Sequence, residues 1–137
     1  MKATILTTVF AALVLSISVN AQNVNRYSNV KATEFGTEKE CISVDSKTLT
    51  PLIKQNYSFD ADGKMIEKVI SRWDGIDNGW VNVSKYEYTY TDADSDLISL
   101  IAYTKWNKAA KDWSSESDLL VNVYDENNNY LATGYEK

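Results

Sequence analysis

The chain repeats itself at a spacing near 33 residues. RWDGIDNGW, Arg72 to Trp80, and KWNKAAKDW, Lys105 to Trp113, each place two tryptophans on either side of six residues, and Trp73 and Trp80 map onto Trp106 and Trp113. These two pairs use all four tryptophans of the protein. A second element, aromatic residues followed by a turn, occurs three times: YSFDADGKM from Tyr57, YTYTDADSDL from Tyr88 and VNVYDENNNYL from Val121. Phe59-Asp60, Tyr90-Thr91 and Tyr124-Asp125 are its equivalent positions, 31 and then 34 residues apart. Helical repeats share such a period, but these segments are rich in Tyr, Val, Ile and Thr, which favour strands. The repeat unit is two strands and two turns.

Strands then fall at intervals of about ten residues, each bounded by turn-forming residues. The pattern predicts Leu52 to Phe59, Met65 to Trp73, Trp80 to Tyr90, Leu97 to Trp106, Trp113 to Tyr124 and Tyr130 to Tyr135, with Asn29 to Glu34 and Cys41 to Val44 as an edge hairpin. Pro51, the only proline, stands at the start of the first of the six, where its missing N–H does little harm. Short connections require antiparallel neighbours. The expected fold is all-β, an antiparallel meander of about six to eight strands that is strongly twisted or partly rolled. Leu97 to Trp106 is apolar on both faces, which predicts a central strand covered on both sides. Simple alternation puts Tyr86, Tyr88 and Tyr90 on one face with Trp80.

Composition narrows the function. Residues 1–21 read as a signal peptide: Lys2 supplies a positive n-region, Ala3 to Val19 is apolar, and Val19-Asn20-Ala21 offers the small residues a signal peptidase needs. Cleavage before Gln22 predicts an exported, periplasmic or secreted protein with no membrane span after processing. Removing those 21 residues leaves 116, with 13 basic and 19 acidic side chains and a net charge of −6. Residues 22–46 form an N-terminal segment, and residues 47–137 the hairpin-repeat domain. An acidic surface repels nucleic acid and anionic lipid, whose binders neutralise phosphate with Lys and Arg. A single cysteine, Cys41, leaves no internal disulfide, and its alternation with Ile42 and Val44 reads as a small hydrophobe.

The residues carry a resemblance. A signal peptide followed by Y-x-[FY]-D-x-x-G and W-x6-W hairpins resembles an uncharacterised family of small exported Bacteroidetes proteins, a domain of unknown function. More loosely, it is similar to the tyrosine-aspartate hairpin repeats of bacterial surface proteins. The likeness covers Lys47 to Lys137 and implies export and a β-repeat fold, with no activity to carry over. Two copies depart from the pattern: the second has Thr91 for the Asp, and the third has Asn128 for the Gly.

Candidate chemistry is sparse. The chain has no histidine, which removes Ser-His-Asp and Cys-His catalysis and the commonest zinc ligand. Asp60, Asp62, Asp92, Asp94 and Asp96 alternate as calcium ligands can, yet they lack the Gly and Glu spacing of an EF-hand, and Asp is what tight turns require. The remaining acids alternate with Lys on strand faces or lie in turns, unlike the facing pair of a glycosidase. No catalytic residue, metal or cofactor is expected. The sequon Asn82-Val83-Ser84 falls inside a strand and reads as chance. The candidate ligand-binding residues are Trp73, Trp80, Trp106 and Trp113, with Tyr86, Tyr88 and Tyr90. As cross-strand pairs the tryptophans hold hairpins together, and as an exposed row they suit a glycan or an envelope protein. Two classes follow: a non-enzymatic binding or adhesion module, and a structural or self-assembling envelope protein.

Overall fold

The computed structural model describes Thr8–Val9, Leu15–Val19 and Gln22–Lys137. Its elements are β1 (Thr8–Val9), β2 (Leu15–Val19), β3 (Gln22–Thr33), β4 (Gly36–Asp45), β5 (Pro51–Asp60), β6 (Met65–Asp74), β7 (Gly79–Tyr90), β8 (Ile98–Asn107), β9 (Asp112–Tyr124) and β10 (Tyr130–Glu136). No described residue is helical. From β3 to β10 each strand pairs antiparallel with the next in sequence, so the sheet is an open meander not closed into a barrel. β1 and β2 lie along the outer edge of β3. The rest of residues 1–21, including Asn20 and Ala21 of the expected cleavage site, lies outside the described residues.

All six expected strands are present, each within a residue of its sequence limits at either end. The N-terminal hairpin is longer than Asn29 to Glu34 and Cys41 to Val44, because β3 and β4 pair without interruption from Val24↔Asp45 to Thr33↔Gly36. β4 in turn pairs β5 from Gly36↔Asp60 to Val44↔Pro51, so residues 22–46 belong to the same sheet as the repeats.

Turn chemistry repeats with the sequence. Asp60 accepts the backbone N–H groups of Asp62 and Lys64 on Oδ1, and Asp125 accepts those of Asn127 and Asn129 in the same way. The left-handed position is Gly63 in one turn and Asn128 in the other, the two residue types that reach positive φ most readily. The copy with Thr91 in place of Asp shifts the role by one residue, and Asp92 Oδ1 accepts the N–H of Asp94. These carboxylates are thus engaged by their own turns.

At the opposite end of the sheet the same device appears three times. Asp45, Asp74 and Asn107 each accept two backbone N–H groups from the turn they begin. Four residues later Leu49, Asn78 and Lys111 take positive φ. The pairs that close these turns are Val44↔Pro51, Trp73↔Trp80 and Trp106↔Trp113. The repeat therefore starts one hairpin before the first tryptophan, with Val44 and Pro51 in the tryptophan positions.

The N–H groups of Thr48 and then Lys47 hold the Asp45 carboxyl below its ordinary range, and the Asn129 N–H followed by its side-chain amide does the same for Asp125. A carboxyl whose pKa is lowered by folding contributes stability above its unfolded pKa, and that stability is lost as pH falls through the folded value. Wild-type urea midpoints should therefore fall below about pH 4. The decline should be shallower in Asp45→Asn with Asp125→Asn. Parallel declines in the two proteins would remove these turns as the source.

Energetically the sheet is unusual. No hydrophobic side chain among the described residues is fully buried; Ser71, Ser84 and Thr104 are the buried residues, 2–4% exposed. From β3 on, strands pack chiefly on their sequential neighbours, and among the described residues no second layer covers either face. The expectation that Leu97 to Trp106 is covered on both sides is corrected here: Ile98, Leu100, Ile101, Tyr103 and Trp106 stay partly exposed. Cover comes from neighbouring strands in the same layer. Tyr86 packs on Tyr103 at 5.0 Å between centroids, and Lys68 Nζ sits 5.7 Å and 5.8 Å from the Tyr57 and Tyr86 rings. Such cross-strand pairs contribute roughly 0.2–1 kcal/mol each. Many of them, with the ladder hydrogen bonds, take the place of a core. Cys41 is free and half-buried in β4.

Candidate functional site

The β7–β8 ladder ends at Ser84↔Lys105. Beyond that rung β6 and β7 stay paired to Asp74↔Gly79, and β8 and β9 to Asn107↔Asp112. Beyond the rung the β8–β9 hairpin projects as a two-stranded arm, and the β6–β7 hairpin projects beside it, still held by β5 as far as Ile53↔Arg72. The register of β7 explains the parting. Ile70 pairs with Ser84 and Ser71 with Asn82, which leaves Val83 as an extra residue, and such a bulge bends its strand and increases the local twist.

A cleft of about 910 Å³ lies between the arms. Its aromatic lining is Trp73, Trp80, Trp106 and Tyr103, and its charged lining is Arg72, Lys105, Lys108 and Lys111 with Asp74 and Asp77. Directly paired residues share a face, so Trp73, Trp80 and Trp106 come from one face of the sheet and Arg72, Tyr103 and Lys105 from the other. Side chains from both faces meet because the sheet has a gap there.

Both tryptophan pairs form across their turns. Trp73 meets Trp80 edge to face at 5.3 Å and 76°, and Trp106 meets Trp113 at 5.1 Å and 83°, within the range favoured for aromatic pairs. Lys54 Nζ stands 5.0 Å from the Trp80 ring and Lys85 Nζ 5.2 Å from that of Trp113. All four tryptophans are half-buried, so they clamp their hairpins and still present surface. Trp113 does not line the cleft; the other three do.

Tyr86, Tyr88 and Tyr90 are not on the tryptophan face, which corrects the reading from simple alternation. Trp80 pairs with Trp73 and Tyr86 with Lys68, five residues apart on β6 and therefore on opposite faces. The extra residue Val83 inverts the alternation between Trp80 and Tyr86. Tyr90 donates its hydroxyl to the Met65 carbonyl at 2.8 Å, and burial raises the pKa of Tyr88 and Tyr90. These three tyrosines build the other face of the sheet and do not line the cleft.

Tyr103 and the four cations are the residues that sequence reasoning passes over. One signal for them is present. Lys105, Lys108 and Lys111 fall within seven residues around Trp106, in a chain of net negative charge. Tyr103 carries no comparable mark.

The chain matches the family of unknown function (DUF3836) over residues 1–132. No curated protein matches it. Among solved structures, a DUF3836 family protein from Parabacteroides distasonis ATCC 8503 is 22% identical at a TM-score of 0.53, covering 72% of this chain and 89% of that one. A second, from Bacteroides vulgatus ATCC 8482, is 19% identical at a TM-score of 0.47, covering 82% of this chain and 98% of that one. The Parabacteroides likeness bears on the fold alone. With a match over nearly its whole length, the chain belongs to the DUF3836 family.

Proposed function

We propose that this protein is a non-enzymatic, exported binding module of the cell envelope, which grips a glycan in the cleft between its two hairpin arms. The observation that carries the reading is the cleft itself, lined by Trp73, Trp80, Trp106 and Tyr103. Flat, rigid aromatic rings that keep part of their surface exposed suit sugar rings, and they lose little freedom on binding. The volume also falls within the range of small-ligand sites. Export rests on the leader pattern of residues 1–21.

A glycan array probed with the chain from Gln22 to Lys137 tests the proposal. Retention of one class of oligosaccharide, with a shift in tryptophan emission on binding, is expected. Trp80→Ala with Trp106→Ala should abolish retention while the circular dichroism of the sheet persists. Undiminished retention by that double variant would overturn it.

A second reading, self-assembly, has its own support. β10 is an edge strand with Tyr130, Leu131 and Tyr135 all more than half exposed, and such an edge is a template for pairing with another chain. A sedimentation coefficient that rises with concentration would favour it.

A further inference from the structure

We infer that the ligand of the cleft is an acidic oligosaccharide, one whose sugar rings carry carboxylates. This rests on the binding reading above and names its ligand class. Arg72, Lys105, Lys108 and Lys111 line the cleft against two acids, Asp74 and Asp77. The excess is two positive charges, in a chain whose formal net charge is −5.

The acids do not neutralise these cations. Among the described residues the one ion pair is Lys85 with Glu87, so none of the four cleft cations has a carboxylate oxygen within 4.0 Å. Asp74 is occupied with its own turn, where its Oδ1 accepts the Ile76 N–H at 2.8 Å.

Charge is also segregated along the strands. The turns at the far end carry Asp60, Asp62, Asp92, Asp94, Asp96, Asp125 and Glu126, with Lys64 as the lysine among them. The turns at the cleft end carry Lys47, Lys108 and Lys111 against Asp45, Asp74, Asp77 and Asp112, so the far end is much the more acidic and an anion approaches the cleft end more readily. Charge placed at one end in this way steers approach as well as holding a ligand.

Placement favours a chain over a single small anion. Arg72 belongs to one arm, and Lys108 and Lys111 to the turn of the other. A carboxylated chain passing through the gap would meet cations on both sides while its rings lie on Trp80 and Trp106. An acidic peptide offers the charges without the rings. A neutral glycan offers the rings and leaves the cations unused.

The test compares oligogalacturonates of four to six sugars with their methyl esters, which keep the rings and remove the charge. Isothermal titration of the Gln22–Lys137 chain should show at least tenfold tighter binding of the acid, and that difference should shrink as salt rises. Lys105→Gln with Lys108→Gln and Lys111→Gln, at exposed positions that should leave folding intact, should reduce acid binding to the ester's level. Equal binding of acid and ester overturns this inference and leaves the glycan reading standing. Tighter binding of polyglutamate than of oligogalacturonate overturns the ligand class. Failure of oligogalacturonate while the array returns a neutral glycan overturns the inference alone; an array with no retained glycan overturns the glycan reading as well.

Discussion

Gly36→Ala should destabilise the protein by roughly 3 kcal/mol, the largest effect expected of any single added methyl group here. Gly36 opens β4 with φ of +151°, a conformation that side chains rarely adopt. A Cβ at this position would lie 2.0 Å from the Phe59 carbonyl oxygen and 2.7 Å from the Asp60 carbonyl carbon. Both obstacles are backbone, held in register by the β4–β5 ladder, where Gly36 pairs with Asp60. They cannot swing aside as a side chain can. Gly63→Ala is the internal control: its φ is +80°, but nothing stands within 4 Å of an added Cβ. That change should cost about 1 kcal/mol from conformation alone. Urea melts of the two variants separate the causes. A Gly36→Ala midpoint no lower than that of Gly63→Ala would show that the close approach is relieved cheaply.

Trp73→Ala and Trp106→Ala should each cost about 2–3 kcal/mol, below the cost for a fully buried tryptophan because each is half-exposed. Each residue contributes to stability through one partner on the opposite strand, at 5.3 Å and 5.1 Å respectively. A double-mutant cycle of Trp73 with Trp80 should therefore return a coupling of about 0.5–1.5 kcal/mol, and the equivalent cycle of Trp106 with Trp113 a similar one. Trp73 paired with Trp113, on different arms, should be additive. Wild-type midpoints in both single variants would mean that the arms stand without their clamps. The tryptophans would then be there for the ligand alone.

What the sequence discloses divides along physical lines. Strand positions are legible because turns here are built from Asp, Asn and Gly at fixed offsets, and those residues mark where each strand stops. The repeat is legible where tryptophan marks it. It is hidden in the first hairpin, where Val44 and Pro51 occupy the same pair of positions and only the Asp45 carboxylate and the Leu49 backbone show the kinship. Faces are legible only as far as alternation is unbroken. Val83 looks like any strand valine, and the single residue it adds to β7 moves Tyr86, Tyr88 and Tyr90 to the other side. The cleft is less legible still, because it arises where two ladders part company. No local pattern encodes the absence of a rung between Trp80 and Trp106.

The strictly sequential pairing of β3 to β10 has a consequence for how such a protein can change. With each strand paired only to its neighbours in sequence, and few side chains such as Lys54 and Lys85 reaching one strand further, stability is close to a sum of rungs, as in a stack of repeats. A hairpin of some 33 residues can be inserted into or lost from such a ladder without remaking the packing of the rest. An added hairpin that carried a bulge like the one at Val83 would also create another gap between adjacent arms. Growth of the chain by duplication of such hairpins would then multiply its grooves side by side, and on the glycan reading proposed above a modest gain in length would set several weak contacts acting together on one polymer.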